Sequence, residues 1–131
     1  MTDKALPPAF RTALWRHVTE GAREGELRFQ TCLQCGQVQY PPREVCGRCL
    51  ADDLEWRPVE GMAKVLSKTR LHASLEPWFR DRLPVEVALV QLDEGPVAYV
   101  FAEQGVDVGN RVRVSARLDE ADVAVLWASP R

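Results

Sequence analysis

The sequence predicts a mainly β protein: an N-terminal α-helix, a four-cysteine ribbon and a C-terminal five-stranded barrel. Three observations carry this expectation. Apolar residues recur every four positions near the N-terminus, two identical Cys-x2-Cys pairs follow, and the second half alternates apolar and polar residues with the period of strands. The 131 residues are 46% hydrophobic and 27% charged, with 17 Lys plus Arg against 19 Asp plus Glu for a net charge of −2. That mix suits a folded globular chain and excludes extended disorder. The longest apolar stretch, Val85 to Leu92, contains Glu86 and Gln91 and falls far short of the roughly 20 residues that a bilayer demands, so no membrane association is expected. The opening MTDKALPPAF lacks a basic segment followed by an apolar one, which reads as no secretory signal and a cytoplasmic location.

The first segment, residues 1–26, is expected to be a docking helix. Pro7 and Pro8 are tolerated at a helix start, and Phe10, Leu14 and Val18 then form a stripe with Ala13 and Ala22 alongside, closing near Gly21 or Gly25. Trp15 lies about 100° round from Leu14, so it widens the stripe or sits beyond it. So short a helix is marginal alone and must dock on its own chain or on a partner. Phe10, Leu14, Trp15 and Val18 are therefore candidate interface residues.

Residues 27–56 hold Cys32-x2-Cys35 and Cys46-x2-Cys49, with almost no aliphatic core between them. In a reducing compartment such pairs bind metal rather than form disulfides. Each pair places two sulfurs on one ion, and Gly36 and Gly47 suit the tight turns required. Four thiolates favour one tetrahedral zinc ion per chain, in a closed site with a structural role and no open position to activate water. A rubredoxin-like iron centre and a redox dithiol pair are the alternatives.

Residues 57–131 supply five strands: Ala63 to His72, Val85 to Leu92, Val97 to Ala102, Arg111 to Leu118, and Val123 to Trp127. In the fourth, Val112, Val114, Ala116 and Leu118 are expected to face inward, with Arg111, Arg113, Ser115 and Arg117 outward. Turns fall at residues 93–96, 107–110 and 119–122. A closed barrel of five strands most commonly has oligonucleotide/oligosaccharide-binding (OB) topology, although the count also allows an SH3-like barrel.

Catalytic constellations are nearly absent. His17 and His72 stand apart from any nucleophile or carboxylate at a recognisable spacing, there is no phosphate loop, and Glu76, Asp81 and Glu86 are scattered. The chain is expected not to be an enzyme on its own. Along the first barrel strand Lys64, Leu66, Lys68, Arg70 and His72 alternate onto one face, beside Arg111, Arg113 and Arg117 of the fourth. This reads as a solvated exterior or as a surface for phosphates or an acidic partner. Trp78 and Phe79 follow in a Pro-containing connector, as a plug for one barrel end or as a partner contact. With a pI of about 5.7, nucleic acid is an unlikely ligand. A single-stranded nucleic-acid binder using Tyr99 and Phe101 is nonetheless an alternative reading.

The order Gly25-Glu26-Leu27, Cys32-x2-Cys35-Gly36, Pro41-Pro42-Arg43, Cys46-x2-Cys49, Trp56, then Gly61 leading into a strand with Thr69, resembles the zinc-ribbon OB-fold family called domain of unknown function 35. The resemblance extends to residues 87–95, whereas residues 73–84 and 102–109 are particular to this sequence. It implies a non-catalytic accessory subunit in a hetero-oligomer with a thiolase-like or aldolase-like enzyme acting on acyl-CoA, where it would help shape the CoA channel. On that reading Lys64, Lys68, Arg70, Arg111 and Arg113 are candidate CoA or phosphate contacts. Phe10, Leu14, Trp15, Val18, Trp78 and Phe79 are then candidate contacts to the enzyme. Free-standing acyl-CoA binding is a further alternative.

Overall fold

The computed structural model describes residues 6–9 and 11–131; Phe10 lies outside the described residues. Elements follow in the order α1 (Trp15–Arg23), β1 (Leu27–Cys32), β2 (Val38–Gln39), β3 (Leu54–Val59), β4 (Met62–Leu71), α2 (Pro77–Arg80), β5 (Val85–Leu92), β6 (Val97–Ala102), β7 (Arg111–Leu118) and β8 (Ala124–Pro130). The first three strands form an antiparallel sheet in the order β2-β1-β3, and the remaining five close a barrel in the order β4-β5-β6-β8-β7. Within the barrel β6 and β8 pair in parallel while the other pairs are antiparallel. Third strand next to fifth, and first next to fourth, is OB topology rather than an SH3-like arrangement. β5, β6 and β7 have the expected bounds. β8 runs on to Pro130 because it stays in register with β7 as far as Val112 opposite Pro130.

The helix begins later than expected, at Trp15 rather than just after Pro8. No side chain caps it, and the chain enters through i→i+3 bonds from the Trp15, Arg16 and His17 amides to the carbonyls of Thr12, Ala13 and Leu14. Pro7 is buried instead of opening a helix. The helix ends in a paired cap: the Gly25 amide bonds Ala22 O at 3.1 Å and the Glu26 amide bonds Gly21 O at 2.8 Å, with Gly25 at φ +77°. Its apolar stripe is spent on its own chain. Val18 has no exposed surface, Trp15 Nε1 donates to Ala124 O at 3.0 Å, and the Ala124 amide donates to Thr19 Oγ1 at 3.2 Å. Trp15 and Val18 therefore cannot be read as a free partner surface, because they seat α1 on the start of β8.

One core runs through the molecule. Val18 of α1 and Leu27 and Phe29 of β1 belong to the same buried cluster as Val65, Val90, Leu92, Val112 and Val114 of the barrel, and Tyr40, Trp56 and Val59 pack against it. The ribbon thus has more apolar anchorage than its composition suggested, borrowed from the barrel by way of β1. The expected division after Trp56 falls inside β3. Gly61 makes the crossing between the two sheets. It is buried at φ +81°, its carbonyl accepts the Val114 amide at 2.8 Å, and a Cβ there would lie 2.3 Å from Val114 O.

β4 carries a bulge that sequence alternation could not show. Val65 pairs with Val90 but Ser67 pairs with Leu89, which leaves Leu66 as the extra residue. Residues that pair directly share a face. Ala63 and Val65 therefore lie with buried Leu92 and Val90, and beyond the bulge the face is taken up by Lys68 opposite buried Ala88. The expected cationic row is thus split: Lys64 points outward, whereas Lys68 and Arg70 follow the inner face to the barrel rim. On β7, Leu118 also departs from its expected inward setting. It is exposed at the strand end while Val112 and Val114 are buried.

Candidate metal centre

The two cysteine pairs sit on knuckles built alike. In the first, the Cys32 amide bonds Gln37 O at 2.9 Å and the Gly36 amide bonds Cys32 O at 2.8 Å; in the second, the Cys46 amide bonds Ala51 O at 2.8 Å and the Leu50 amide bonds Cys46 O at 3.0 Å. Each knuckle ends on a residue at positive φ, Gly36 at 79° and Leu50 at 65°. Gly47, expected to supply this freedom, does not. Leu50 adopts the left-handed conformation, which costs a residue with a Cβ roughly 1–2 kcal/mol.

The four Sγ atoms lie within 4.8 Å of one another, with Cys32 to Cys49 at 3.5 Å and Cys35 to Cys46 at 3.6 Å. Disulfide sulfurs would be about 2.05 Å apart. A tetrahedron of sulfurs around zinc, each about 2.3 Å from the ion, has an edge of about 3.8 Å, so this donor set fits such an ion. Cys32 and Cys46 are buried; Cys35 and Cys49 are exposed.

Backbone dipoles already favour charge on two sulfurs. The Cys49 and Arg48 amides bring the Cys46 thiol down to about 6, and the Cys35 amide, against burial, lowers the Cys32 thiol from its ordinary value. Cys49 goes the other way. The Ala51 amide favours its thiolate, but the facing sulfurs of Cys32, Cys35 and Cys46, together with burial, outweigh it and hold the thiol up at about 11. Four thiolates cannot gather here without a cation, which is the electrostatic condition for a metal-binding site.

Two buried glutamines, which sequence reasoning missed, hold the second knuckle in place. Gln30 of β1 and Gln39 of β2 pair in register, and Gln39 Nε2 donates to Gln30 Oε1 at 2.9 Å. Gln30 also donates to Arg43 O at 2.7 Å and accepts from the Arg43 amide at 2.8 Å, while Gln39 Oε1 accepts from the Gly47 amide at 2.9 Å. The loop that delivers Cys46 is thereby tied to the sheet that delivers Cys32. Nothing in residue spacing marks these positions, because a glutamine on a strand ordinarily faces water.

The candidate cations separate into engaged and open ones. Lys68 donates to Val106 O at 2.9 Å and lies 3.3 Å from both Glu86 and Asp107; Arg70 bonds Glu86 at 2.9 Å; Arg111 bonds Asp93. Glu86 and Asp93 are held below the usual carboxylate range by these partners, Arg70 foremost for Glu86 and Arg111 for Asp93. Lys64 and Arg113 are exposed and lack ion pairs among the described residues. His17 stacks on Trp56 at 4.8 Å and His72 is exposed, neither in a catalytic setting.

Trp78 and Phe79 stand on α2. Phe79 stacks on Phe101 at 5.8 Å, Phe101 packs against Trp127 at 5.4 Å with the rings tilted by 34°, and the Arg82 guanidinium lies 3.9 Å over Trp78. Together with Pro7, Pro8 and Arg117 they wall an aromatic groove of about 780 Å³ on the outer face of β6 and β8. Phe101 is thereby covered, which leaves Tyr99, 72% exposed, as the open aromatic of β6. Leu14 is half-buried at the helix entry.

Among the described residues no helix is long and apolar enough to cross a membrane. Residues 19–55 match the family model of the ChsH2 rubredoxin-like zinc ribbon domain, and residues 56–124 that of the ChsH2 C-terminal OB-fold domain. Curated relatives named DUF35 domain-containing scaffold proteins, from Methanothermobacter thermautotrophicus and Methanocaldococcus jannaschii, are 33% and 30% identical over 82 residues, 62% of this chain. Those matches span 59% and 55% of the relatives' own length. A solved structure of an Ltp2-ChsH2(DUF35) aldolase contains a chain that superposes with a TM-score of 0.74 at 25% identity, covering 95% of this chain and 98% of that one. A DUF35 protein of unknown function from Sulfolobus solfataricus shares the fold, with a TM-score of 0.64 at 18% identity over 94% of this chain and 89% of that one.

Proposed function

The chain belongs to the DUF35 family, and from that premise we propose that it is a non-catalytic accessory subunit of a thiolase-superfamily enzyme, thiolase-like or aldolase-like, acting on acyl-CoA. The observation that carries this reading is the near full-length superposition on a chain of the Ltp2-ChsH2(DUF35) aldolase. The chemistry of the chain is consistent with it. Cys32, Cys35, Cys46 and Cys49 would hold one structural zinc ion, and four thiolates fill a tetrahedral site, leaving no position for substrate or water.

The reading assigns the chain two tasks, docking and shaping the CoA channel. For docking, the exposed rim of the aromatic groove around Trp78 and Phe79 is the stronger candidate, since Trp15 and Val18 are engaged internally. For phosphates, Lys64 and Arg113 are the candidates with charge to spare, because Lys68, Arg70 and Arg111 are neutralised by their own carboxylates. The test is co-expression with a thiolase-like or aldolase-like enzyme from the same source. The two should co-purify, the enzyme should turn over acyl-CoA mainly in the complex, and this chain alone should show no turnover. Turnover by this chain alone, or full activity of the enzyme without it, would overturn the reading.

A further inference from the structure

The four cysteines are not equivalent to a reagent arriving from solvent. Cys35 and Cys49 are exposed while Cys32 and Cys46 are buried, so each knuckle presents one sulfur and hides the other. Cys35 also borders an open cleft of about 520 Å³ between the second knuckle and the β5–β6 turn. Two sulfur contacts cross from one knuckle to the other: exposed Cys49 lies 3.5 Å from buried Cys32, and exposed Cys35 lies 3.6 Å from buried Cys46. These pairs share no cysteine, so both can close together. Each has to shorten by about 1.5 Å to reach the ~2.05 Å of a disulfide. The bonds that shape the knuckles, from the Gly36 amide to Cys32 O and from the Leu50 amide to Cys46 O, lie within a knuckle and need not break for a link between the two.

We infer that the cysteine cluster is also a site of reversible oxidation by peroxide, in which Cys32–Cys49 and Cys35–Cys46 disulfides replace the metal. The inference rests on the reading of this site as a structural zinc centre. In each pair the exposed thiolate takes an OH group from hydrogen peroxide; the O–O bond breaks, a sulfenic acid forms and hydroxide leaves. The buried thiolate then attacks that sulfur, so that the S–S bond forms, the S–O bond breaks and a second hydroxide leaves. Over both pairs, two hydrogen peroxide molecules and four protons become four waters, and four thiolates give up four electrons to become two disulfides. No thiolate remains to hold the ion, and the site releases it as the dication. The new links hold one knuckle against the other as the metal did, and β1 stays anchored in the common core through Leu27 and Phe29. Oxidation therefore alters the ribbon while the barrel stays folded. Thiol reductants reverse the exchange, which suits a compartment where lasting disulfides are rare and transient ones report oxidation.

The test treats the zinc-loaded full chain with hydrogen peroxide, follows released zinc with a chromophoric chelator, and maps cysteine pairing by mass spectrometry without reduction. Release should be roughly tenfold or more faster with peroxide than into the chelator alone, and should consume about two peroxide molecules per zinc. Trypsin cuts after Arg43 and Arg48, so Cys46 and Cys49 fall on different peptides while Cys32 and Cys35 share one. The inferred pairing joins all three peptides, and fragmentation between Cys32 and Cys35 assigns each partner; pairing inside the knuckles leaves the peptide with Cys32 and Cys35 unattached. Dithiothreitol with added zinc should restore both the free thiols and the metal. Zinc retained against peroxide, disulfides inside the knuckles, Cys32 paired with Cys46 and Cys35 with Cys49, or oxidation only to sulfinic and sulfonic acids would each overturn the inference and leave the zinc reading standing. A freshly purified chain that binds no zinc overturns that reading and this inference with it, so the two failures are distinguishable.

Discussion

Replacing Gln30 by leucine should loosen the metal centre from a distance. Gln30 is 2% exposed and makes three hydrogen bonds: it accepts from the Arg43 amide at 2.8 Å and from Gln39 Nε2 at 2.9 Å, and it donates to Arg43 O at 2.7 Å. At about 1 kcal/mol net for each bond the loss is about 3 kcal/mol, and leucine's greater hydrophobicity returns about 1 kcal/mol of it. The remaining ~2 kcal/mol falls on residues 41–47, the loop that presents Cys46. Because metal binding and ordering of this loop are linked, the loss should appear as weaker metal binding, by roughly thirtyfold. Competition with a chromophoric zinc chelator measures that ratio, and circular dichroism of the metal-free chain measures what happens to the barrel. Q39L should act in the same direction, and the double variant should cost less than the sum because the two glutamines share a bond. Zinc affinity within twofold of wild type for Q30L would refute the argument that these glutamines hold the knuckle.

Further outcomes follow from the same geometry. Stripping metal with a chelator should expose amides of residues 33–37 and 41–53 to hydrogen exchange while the barrel and β1 stay protected, since Leu27 and Phe29 are anchored in the common core. Gly61→Ala should cost about 3 kcal/mol or more, because the new Cβ meets the Val114 carbonyl at 2.3 Å and φ is +81°; a lowering of Tm by roughly 10 °C in thermal denaturation is expected. Leu50→Gly should raise stability by about 0.5–1 kcal/mol by relieving a side chain at φ 65°, read as an increase in Tm. Glu86, held below its ordinary value of 4.5 first by Arg70 and then by Lys68, contributes stability that is present above that value and lost as pH falls through its lower folded value; denaturant titrations at descending pH should show a shallower acid loss for Glu86→Gln.

What could be read from the sequence follows the range of the interactions. The strands of the barrel were legible because inside and outside alternate within one strand, so Val112 and Val114 mark a face without reference to anything distant. The metal knuckles were legible because each is closed by bonds within a few residues. Failures begin where a second element decides. Trp15 looked available to a partner because a single helix cannot show that Ala124, 109 residues on, supplies the acceptor for its indole N–H. Gln30 and Gln39 became structural only by facing each other and Arg43. The cationic row of β4 is the sharpest case. One extra residue at Leu66 reverses every later side chain, so Lys64 and Lys68 lie on opposite faces although they stand four residues apart. The bulge also decides where charge remains available. Behind it Lys68 and Arg70 meet Glu86 at the barrel rim, so that of the candidate cations on β4 and β7 only Lys64 and Arg113, on the outer strand face, lack an ion pair among the described residues. On these two strands an anion therefore meets uncompensated charge on the exterior, at Lys64 and Arg113, and not at the rim, and this division follows from a one-residue irregularity rather than from the number of basic residues on either strand.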